Sequence, residues 1–285
     1  MPVRARSLFR PVWWLSNVLL AVALVATMWS GVWEFSLRQY LKGFSDAIVP
    51  EAASPQQKVE AILAWMSNGP LRLSTDHPDN LSPRDPQETL NYQQLLGVCG
   101  SATNAFLNLS RSAGLEARRL LLLTPERTAK HVVAEVHLDG RWVIVDPGYR
   151  LLMKDARGNL LTRKDLQNPE TLREATSSLP HYPPEYSYER FAHVRLTALP
   201  FHGMGVRKLL DRFFPGWEEY SDWNLLLERR SFLYLFLSAN SLIFLVLLRA
   251  ILAWVADHYL QVPRFHLLAH LGRATITFFR APEMK

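Results

Sequence analysis

The stretch LLGVCGSATNAFLNLSRSAGLEARRL, which runs from Leu95 to Leu120, contains Cys99, the only cysteine among 285 residues. From Cys99 to Ala113 apolar residues recur at helical spacing, and the following Gly114 is typical of a helix C-cap. The stretch therefore predicts a helix that begins at the cysteine. One thiol cannot form a disulfide within the chain or a zinc site of the multi-cysteine kind. Three interpretations remain for Cys99: a small buried hydrophobic residue, a redox-active group or a nucleophile.

Downstream of this helix the hydrophobic pattern changes to the alternation that is typical of strands. Residues 131–138 (HVVAEVHL) alternate between two faces, the dipeptide Asp139-Gly140 is typical of a type I′ hairpin turn, and residues 141–145 (RWVIV) return as a second strand. Upstream, Ser54 and Pro55 precede another helical pattern over residues 56–68. Helices followed by antiparallel strands predict an α+β domain.

Two long apolar runs flank this domain. Residues 12–32 contain no charged side chain and reach the roughly 20 residues that cross a bilayer. Residues 232–248 form a shorter run, which residues 250–256 extend past Arg249. We interpret the runs as transmembrane helices over residues 12–33 and 231–256. A cleaved signal peptide is the alternative for the first run, and a buried core helix is the alternative for the second.

Basic residues near the two runs predict the orientation in the membrane. Three arginines and no acidic residue precede the first run, and three arginines and a lysine follow the second. The positive-inside rule then makes the tails at residues 1–11 and 257–285 cytoplasmic and residues 34–230 an extracytoplasmic domain, periplasmic in a bacterium. Tails that face anionic lipid headgroups explain much of the net charge of +6. No stripe of basic and aromatic residues predicts nucleic-acid binding.

Three polar residues, Cys99, His131 and Asp146, fall where a nucleophilic site could form. A thiol at a helix N-terminus ionises more readily, because the positive end of the helix dipole stabilises the thiolate. Histidine can accept a proton and return it to a leaving amine near neutral pH, and a carboxylate on its second nitrogen fixes the ring tautomer. With the turn at residues 139–140, Asp146 lies opposite Val133 and one step from His131. The hairpin therefore predicts that His131 and Asp146 meet.

Four motifs follow one another in this part of the chain: GVCGS (97–101), GLEAR (114–118), HVVAEV (131–136) and GRWVIVDP (140–147). In this order they resemble the core of the transglutaminase-like superfamily, over about residues 55–150. The resemblance implies a papain-like core, in which the helix that carries the cysteine packs on an antiparallel sheet, here between two transmembrane helices. It also implies that Cys99 is the nucleophile, His131 the general base and acid, and Asp146 the carboxylate that orients the histidine.

Two further residues are candidates for binding the substrate or the oxyanion. Gln93 precedes Cys99 by six residues, the separation at which papain-like proteases place an oxyanion-hole glutamine. The backbone N–H of Cys99 is an alternative donor, because a helix N-terminus presents amides that the helix itself does not use. Glu135 shares a strand face with His131 and would either order the site or be solvated. No cofactor or metal is predicted, and no calcium-binding cluster like that of the animal enzymes is evident.

These features lead to two hypotheses of different classes. The first is a membrane-anchored cysteine enzyme that attacks an amide or peptide bond of a peptide or protein substrate and forms a thioester. Water as the acceptor would make it an amidase or protease, and an amine would make it a transglutaminase. The second is a non-catalytic module that binds peptide or assembles envelope or exopolysaccharide machinery. A missing cysteine, histidine or aspartate would favour the second hypothesis; all three are present, so the enzyme is favoured.

Overall fold

The computed structural model of the chain describes residues 3–69, 85–91, 96–179, 182–194, 205–217 and 225–260. The helices are α1 (Val3–Ile48), α2 (Pro55–Met66), α3 (Pro86–Asn91), α4 (Cys99–Ser112), α5 (Pro169–Ala175), α6 (Val206–Phe213) and α7 (Arg230–Val255). The strands are β1 (Ala117–Leu123), β2 (Ala129–Leu138), β3 (Arg141–Asp146), β4 (Leu151–Leu152) and β5 (Phe191–Ala192). The chain divides into two compact units, one comprising Met1–Thr27 with Ser238–Lys285 and the other Met28–Leu237.

The first unit contains the N-terminal part of α1 and most of α7. The segments Phe9–Ile48 and Arg230–Leu260 are both long and apolar enough to cross a membrane. Large apolar side chains on these helices are exposed, among them Trp14, Val25 and Phe244. Exposed apolar side chains along a helix of this length are what lipid contact requires. Both apolar runs of the sequence are therefore helical, as expected.

Helix α1 is longer than the predicted span over residues 12–33. It continues to Ile48, and in this continuation Leu37 and Leu41 are only 3% and 1% exposed. The two leucines lie four residues apart, one helical turn, and pack into the core of the second unit. The predicted boundary at residue 33 marks the end of the uncharged run, whereas the helix itself extends into the folded domain.

A five-stranded antiparallel sheet in the order β4-β3-β2-β1-β5 forms the centre of the second unit. Strands β2 and β3 form the predicted hairpin, in which Ala134 pairs with Val145. Its turn residues Asp139 and Gly140 have positive φ angles of 48° and 79°, as a type I′ turn requires. This register brings the first residues of β2 and the last residues of β3 to the same end of the hairpin.

Each face of the sheet has its own hydrophobic core. On one face the sheet packs against α4, α2 and the end of α1, with Phe106 of α4 and Val136 of β2 in the same buried cluster. On the other face Val133 packs against the segment that precedes β5, including Tyr186 and Tyr188. Helices on an antiparallel sheet confirm the predicted α+β class.

Helix α2 shows how closely local sequence determines an element boundary. The Ser54 side chain accepts a hydrogen bond from the backbone N–H of Gln57, and the Gln57 side chain accepts one from the backbone N–H of Ser54. This capping box, with proline at the first helical position, starts the helix at Pro55. The helix ends at Met66, two residues before the predicted end, and its end lies near the candidate site described next.

Candidate active site

Cys99 is the first residue of α4 and is half-buried. Its predecessor Val98 is extended, with φ −99° and ψ 119°, and provides no side-chain cap for the helix. The first backbone N–H groups of a helix have no acceptor within it, and they carry the positive end of its dipole. The thiol therefore lies at the positive end of the helix dipole.

His131 and Asp146 lie together at the end of the hairpin. The His131 Nε2 atom is 2.7 Å from Oδ2 of Asp146, and both side chains are 0% exposed. The other Asp146 oxygen, Oδ1, accepts a hydrogen bond of 3.3 Å from the backbone N–H of Tyr149. This contact confirms the pairing that the hairpin register predicted, and it fixes which ring nitrogen faces the carboxylate.

Gly148 shows that Cys99 lies next to this pair. A Cβ atom added to Gly148 would be 3.2 Å from Oδ1 of Asp146, 3.5 Å from Cε1 of His131 and 3.8 Å from Cβ of Cys99. The three side chains thus converge on one glycine of the turn after β3. The structure brings together Cys99, His131 and Asp146, the three residues that the sequence selected.

The pKa of His131 reflects both its burial and its two partners. Burial by itself lowers this pKa, because the charged ring loses its hydration. The charge and hydrogen bond of Asp146 act in the opposite direction, as do the hydrogen bond and charge of Cys99. The two partners outweigh burial and raise the pKa of His131 from 6.5 to about 8. The ring therefore keeps its proton to a higher pH than a free histidine does.

Three tyrosines cover the His131–Asp146 pair; we call Tyr182, Tyr186 and Tyr188 the tyrosine layer. The Tyr186 ring stacks on the His131 ring, with centroids 4.4 Å apart and planes 7° from parallel. The Tyr182 hydroxyl donates to Oδ2 of Asp146 at 3.1 Å and lies 3.3 Å from the Tyr188 hydroxyl. Sequence reasoning missed this layer, for which the only signal is the density of tyrosines around two prolines.

Arg150 is a further residue near the site that the sequence did not reveal. Its Nε donates to the carbonyl of Met66, at the end of α2, at 2.9 Å. Its Nη1 donates to the carbonyls of Pro147 and Gly148, the latter at 3.2 Å. Its Nη2 donates to the carbonyl of Leu96, before α4, at 3.3 Å. One guanidinium thereby joins the cysteine segment to the turn after β3. Burial lowers the pKa of Arg150 to about 10, and the charge of Asp146 opposes this effect.

Glu135, one of the two remaining predicted residues, lies apart from this group. Glu135 is four residues along β2 from His131, roughly 13 Å in an extended strand, and forms a 2.7 Å ion pair with Arg118. It is also 3.7 Å from Nε2 of His193 and is only 2% exposed. The solvated interpretation of Glu135 is therefore wrong, because its carboxylate is buried in an ion pair. Gln93 lies outside the described residues.

Within the described ranges, no three His, Cys, Asp or Glu side chains are grouped so that they could hold a metal ion. His193 instead lies with Nδ1 2.6 Å from the carbonyl oxygen of Arg119.

A thiol at a helix N-terminus, facing a histidine–carboxylate pair on an antiparallel sheet, defines the papain-like class of site. Residues 42–147 match a family model described as the transglutaminase-like superfamily. The chain therefore contains a transglutaminase-like domain, as the sequence resemblance predicted.

The comparison with individual proteins is more distant. Among solved structures, a proposed cysteine protease from Cytophaga hutchinsonii is similar, with 20% sequence identity and a TM-score of 0.32. That match covers 44% of the present chain and 40% of the other, so the chain spans well under half of that protein's length. No curated protein matches the chain.

Proposed function

We propose that the protein is a membrane-anchored cysteine acyl-transfer enzyme that acts on amide or peptide bonds through a thioester. The observation that carries this proposal is the convergence of Cys99, at the N-terminus of α4, with the buried His131–Asp146 pair. A peptide or protein substrate fits a domain of the transglutaminase-like kind.

In the first step the Cys99 thiolate attacks the carbonyl carbon of the substrate amide. The carbonyl π electrons move to oxygen, and the resulting oxyanion is stabilised by backbone N–H groups at the start of α4, that of Cys99 among them. When the C–N bond breaks, His131 gives its proton to the departing nitrogen, which leaves as ammonia or an amine. The products are the amine and a Cys99 thioester, with His131 neutral.

In the second step an acceptor attacks the thioester carbonyl, and His131 takes the acceptor's proton. The C–S bond breaks, and the thiolate and imidazolium are restored. Water as the acceptor gives a carboxylic acid, whereas a primary amine gives a new amide. The mass of a glutamine-containing peptide product, with and without added amine, distinguishes hydrolysis from amine transfer.

The membrane setting of the proposal rests on α1 and α7. Both contain segments that can cross a bilayer, and the basic residues before the first and after the second favour cytoplasmic tails. We therefore place the transglutaminase-like domain on the extracytoplasmic side, the periplasmic side of a bacterial inner membrane. Components of the cell envelope are the partners and substrates expected there.

The first test is the pH dependence of Cys99 labelling by iodoacetamide in the full-length protein in detergent. Because Cys99 is the only cysteine, the extent of labelling read by mass spectrometry refers to this thiol. An activated thiol should label with a midpoint well below the ordinary value of about 8.5. His131→Ala should raise this midpoint, because the imidazolium that stabilises the thiolate is lost.

His137→Ala is the matched control, since His137 lies on the same strand but is 39% exposed at its side chain. It should label like the wild type. If the wild-type thiol labels with an ordinary midpoint or does not label, and His131→Ala changes nothing, the proposed enzymatic function is wrong. The non-catalytic peptide-binding or assembly module would then be the better description.

A further inference from the structure

The Oδ2 atom of Asp146 is shared between two hydrogen-bond donors. Its Oδ2 atom lies 2.7 Å from His131 Nε2 and 3.1 Å from the hydroxyl of Tyr182. The Asp146 side chain is 0% exposed, so bulk water does not solvate this oxygen. How much of the carboxylate's negative charge is available to His131 therefore depends on the second donor.

The direction of the second hydrogen bond follows from the chemistry of the two groups. Burial, with the charges of Tyr188 and Asp146, raises the pKa of Tyr182 well above its usual value of 10. The phenol therefore keeps its proton, and an ionised carboxylate can only accept. Since Tyr182 uses its proton on Asp146, Tyr188 is the donor in the 3.3 Å contact between the two hydroxyls. The order of donation is Tyr188 to Tyr182 to Asp146.

The aromatic packing holds Tyr182 in this position. Its ring contacts Tyr149, with centroids 4.9 Å apart, and Tyr186, with centroids 5.4 Å apart and planes perpendicular. Tyr186 in turn stacks on His131. These contacts involve the rings alone, so the hydroxyl of Tyr182 can be removed while its packing is kept.

We propose that Tyr182 is a positioning residue of the candidate site: its hydroxyl competes with His131 for Oδ2 of Asp146 and limits how tightly the carboxylate holds the imidazolium. A histidine bound too tightly keeps its proton and cannot give it to the leaving nitrogen. A second donor spreads the negative charge of the carboxylate and weakens its hold on the ring. Tyr182 thus keeps the proton of His131 available for transfer.

The test is the pKa of His131 in the full-length protein, measured from hydrogen–deuterium exchange at its Cε1 atom by mass spectrometry. Tyr182→Phe removes the competing donor, so the pKa should rise above that of the wild type. Tyr188→Phe is the matched control, because it removes a neighbouring buried hydroxyl whose hydrogen bond is to Tyr182 and not to Asp146, and it should raise the pKa less. Incorporation of 3-fluorotyrosine at position 182 should lower the pKa, because its more acidic hydroxyl is a stronger donor of nearly the same shape.

Opposite shifts for the two changes at position 182 would support the proposal, because lost packing alone cannot reverse sign. A pKa that stays or falls in Tyr182→Phe, or one that stays or rises with fluorotyrosine, would overturn it. So would an equal rise in Tyr188→Phe.

This inference rests on the proposed function, in which His131 moves the proton, but its measurement needs no turnover. If Cys99 proves inert while the His131 pKa shifts as expected, the proposed enzymatic function is rejected. The proposal that Tyr182 and His131 share Asp146 is then still supported. If Cys99 is activated but the His131 pKa does not shift as expected, only the role proposed for Tyr182 is rejected.

Discussion

Burial lowers the pKa of His131, and two partners of unequal strength raise it. The charge and hydrogen bond of Asp146 raise the pKa of His131 more than the hydrogen bond and charge of Cys99 do. Burial opposes both, because the imidazolium loses hydration. A raised pKa means that the ring stays protonated to a higher pH than a free histidine, so it can act as an acid at neutral pH and as a base once the amine has left.

We expect Asp146→Asn to lower the pKa of His131 below the wild-type value of about 8, and Cys99→Ala to lower it by less. The asparagine keeps the shape of the side chain but removes the charge, so burial then dominates. The same Cε1 exchange measurement gives both values. The exposed substitution Arg157→Ala should leave the value unchanged. If the two variants lower the pKa of His131 equally, or if Asp146→Asn raises it, Asp146 is not the partner with the larger effect on this pKa.

Three separate elements meet at the Arg150 side chain. The end of α2, the turn after β3 and the segment before α4 each provide carbonyl oxygens to it. The cysteine and the histidine–aspartate pair lie on different segments, so the distance between them depends on how these segments are joined. A planar guanidinium can donate in several directions at once, whereas an ammonium is a point charge.

Arg150→Lys should therefore loosen the site while it keeps the charge. Hydrogen bonds to a charged group are worth roughly 1.5–3 kcal/mol, so amide exchange around Leu96 and around Gly148 should quicken by about tenfold or more. Hydrogen–deuterium exchange with mass spectrometry measures both segments together. Arg157→Lys, in an exposed turn, is the matched control. Unchanged exchange at both segments would show that Arg150 does not hold them.

At the scale of the second compact unit, a buried ion pair connects α1 with the start of α7 and with α4. Glu34 of α1 is 3% exposed and binds the guanidinium of Arg229. Glu34 also accepts a 2.8 Å hydrogen bond from Ser231, and Arg229 donates to Asn108 of α4 at 3.3 Å. The helix that carries Cys99 is thereby joined to both long helices of the chain.

Removing one partner of this pair leaves a buried charge without its counter-ion. Glu34→Ala should lower the free energy of unfolding by roughly 3–5 kcal/mol, measured by denaturant titration of the full-length protein in detergent. The double variant Glu34→Ala/Arg229→Met should recover part of this loss. Lys42→Ala breaks the exposed ion pair with Asp46 on the same helix and should cost less than about 1 kcal/mol. A similar small loss for Glu34→Ala would show that the pair contributes little.

Local sequence predicted those parts of the molecule that neighbouring residues determine. The helix that begins at Cys99, the hairpin and its turn follow from spacing and turn chemistry, and they place the three site residues. Tyr182 and Arg150 contact partners 36 and 84 residues away, and no local pattern encodes such contacts. For Glu135 the strand face was predicted, but its partner Arg118 comes from another strand, so periodicity could not reveal the ion pair.

The single thiol also determines how this protein would respond to oxidation outside a reducing compartment. A thiolate that reacts with peroxide becomes a sulfenic acid, which a second thiol can rescue by condensing with it to a disulfide. The chain contains no second cysteine. The sulfenic acid of Cys99 therefore either reacts with a thiol from solution or is oxidised irreversibly to the sulfinic acid. The proposed enzyme would then lose activity with cumulative exposure to oxidant, and small thiols supplied early, but not late, would restore it.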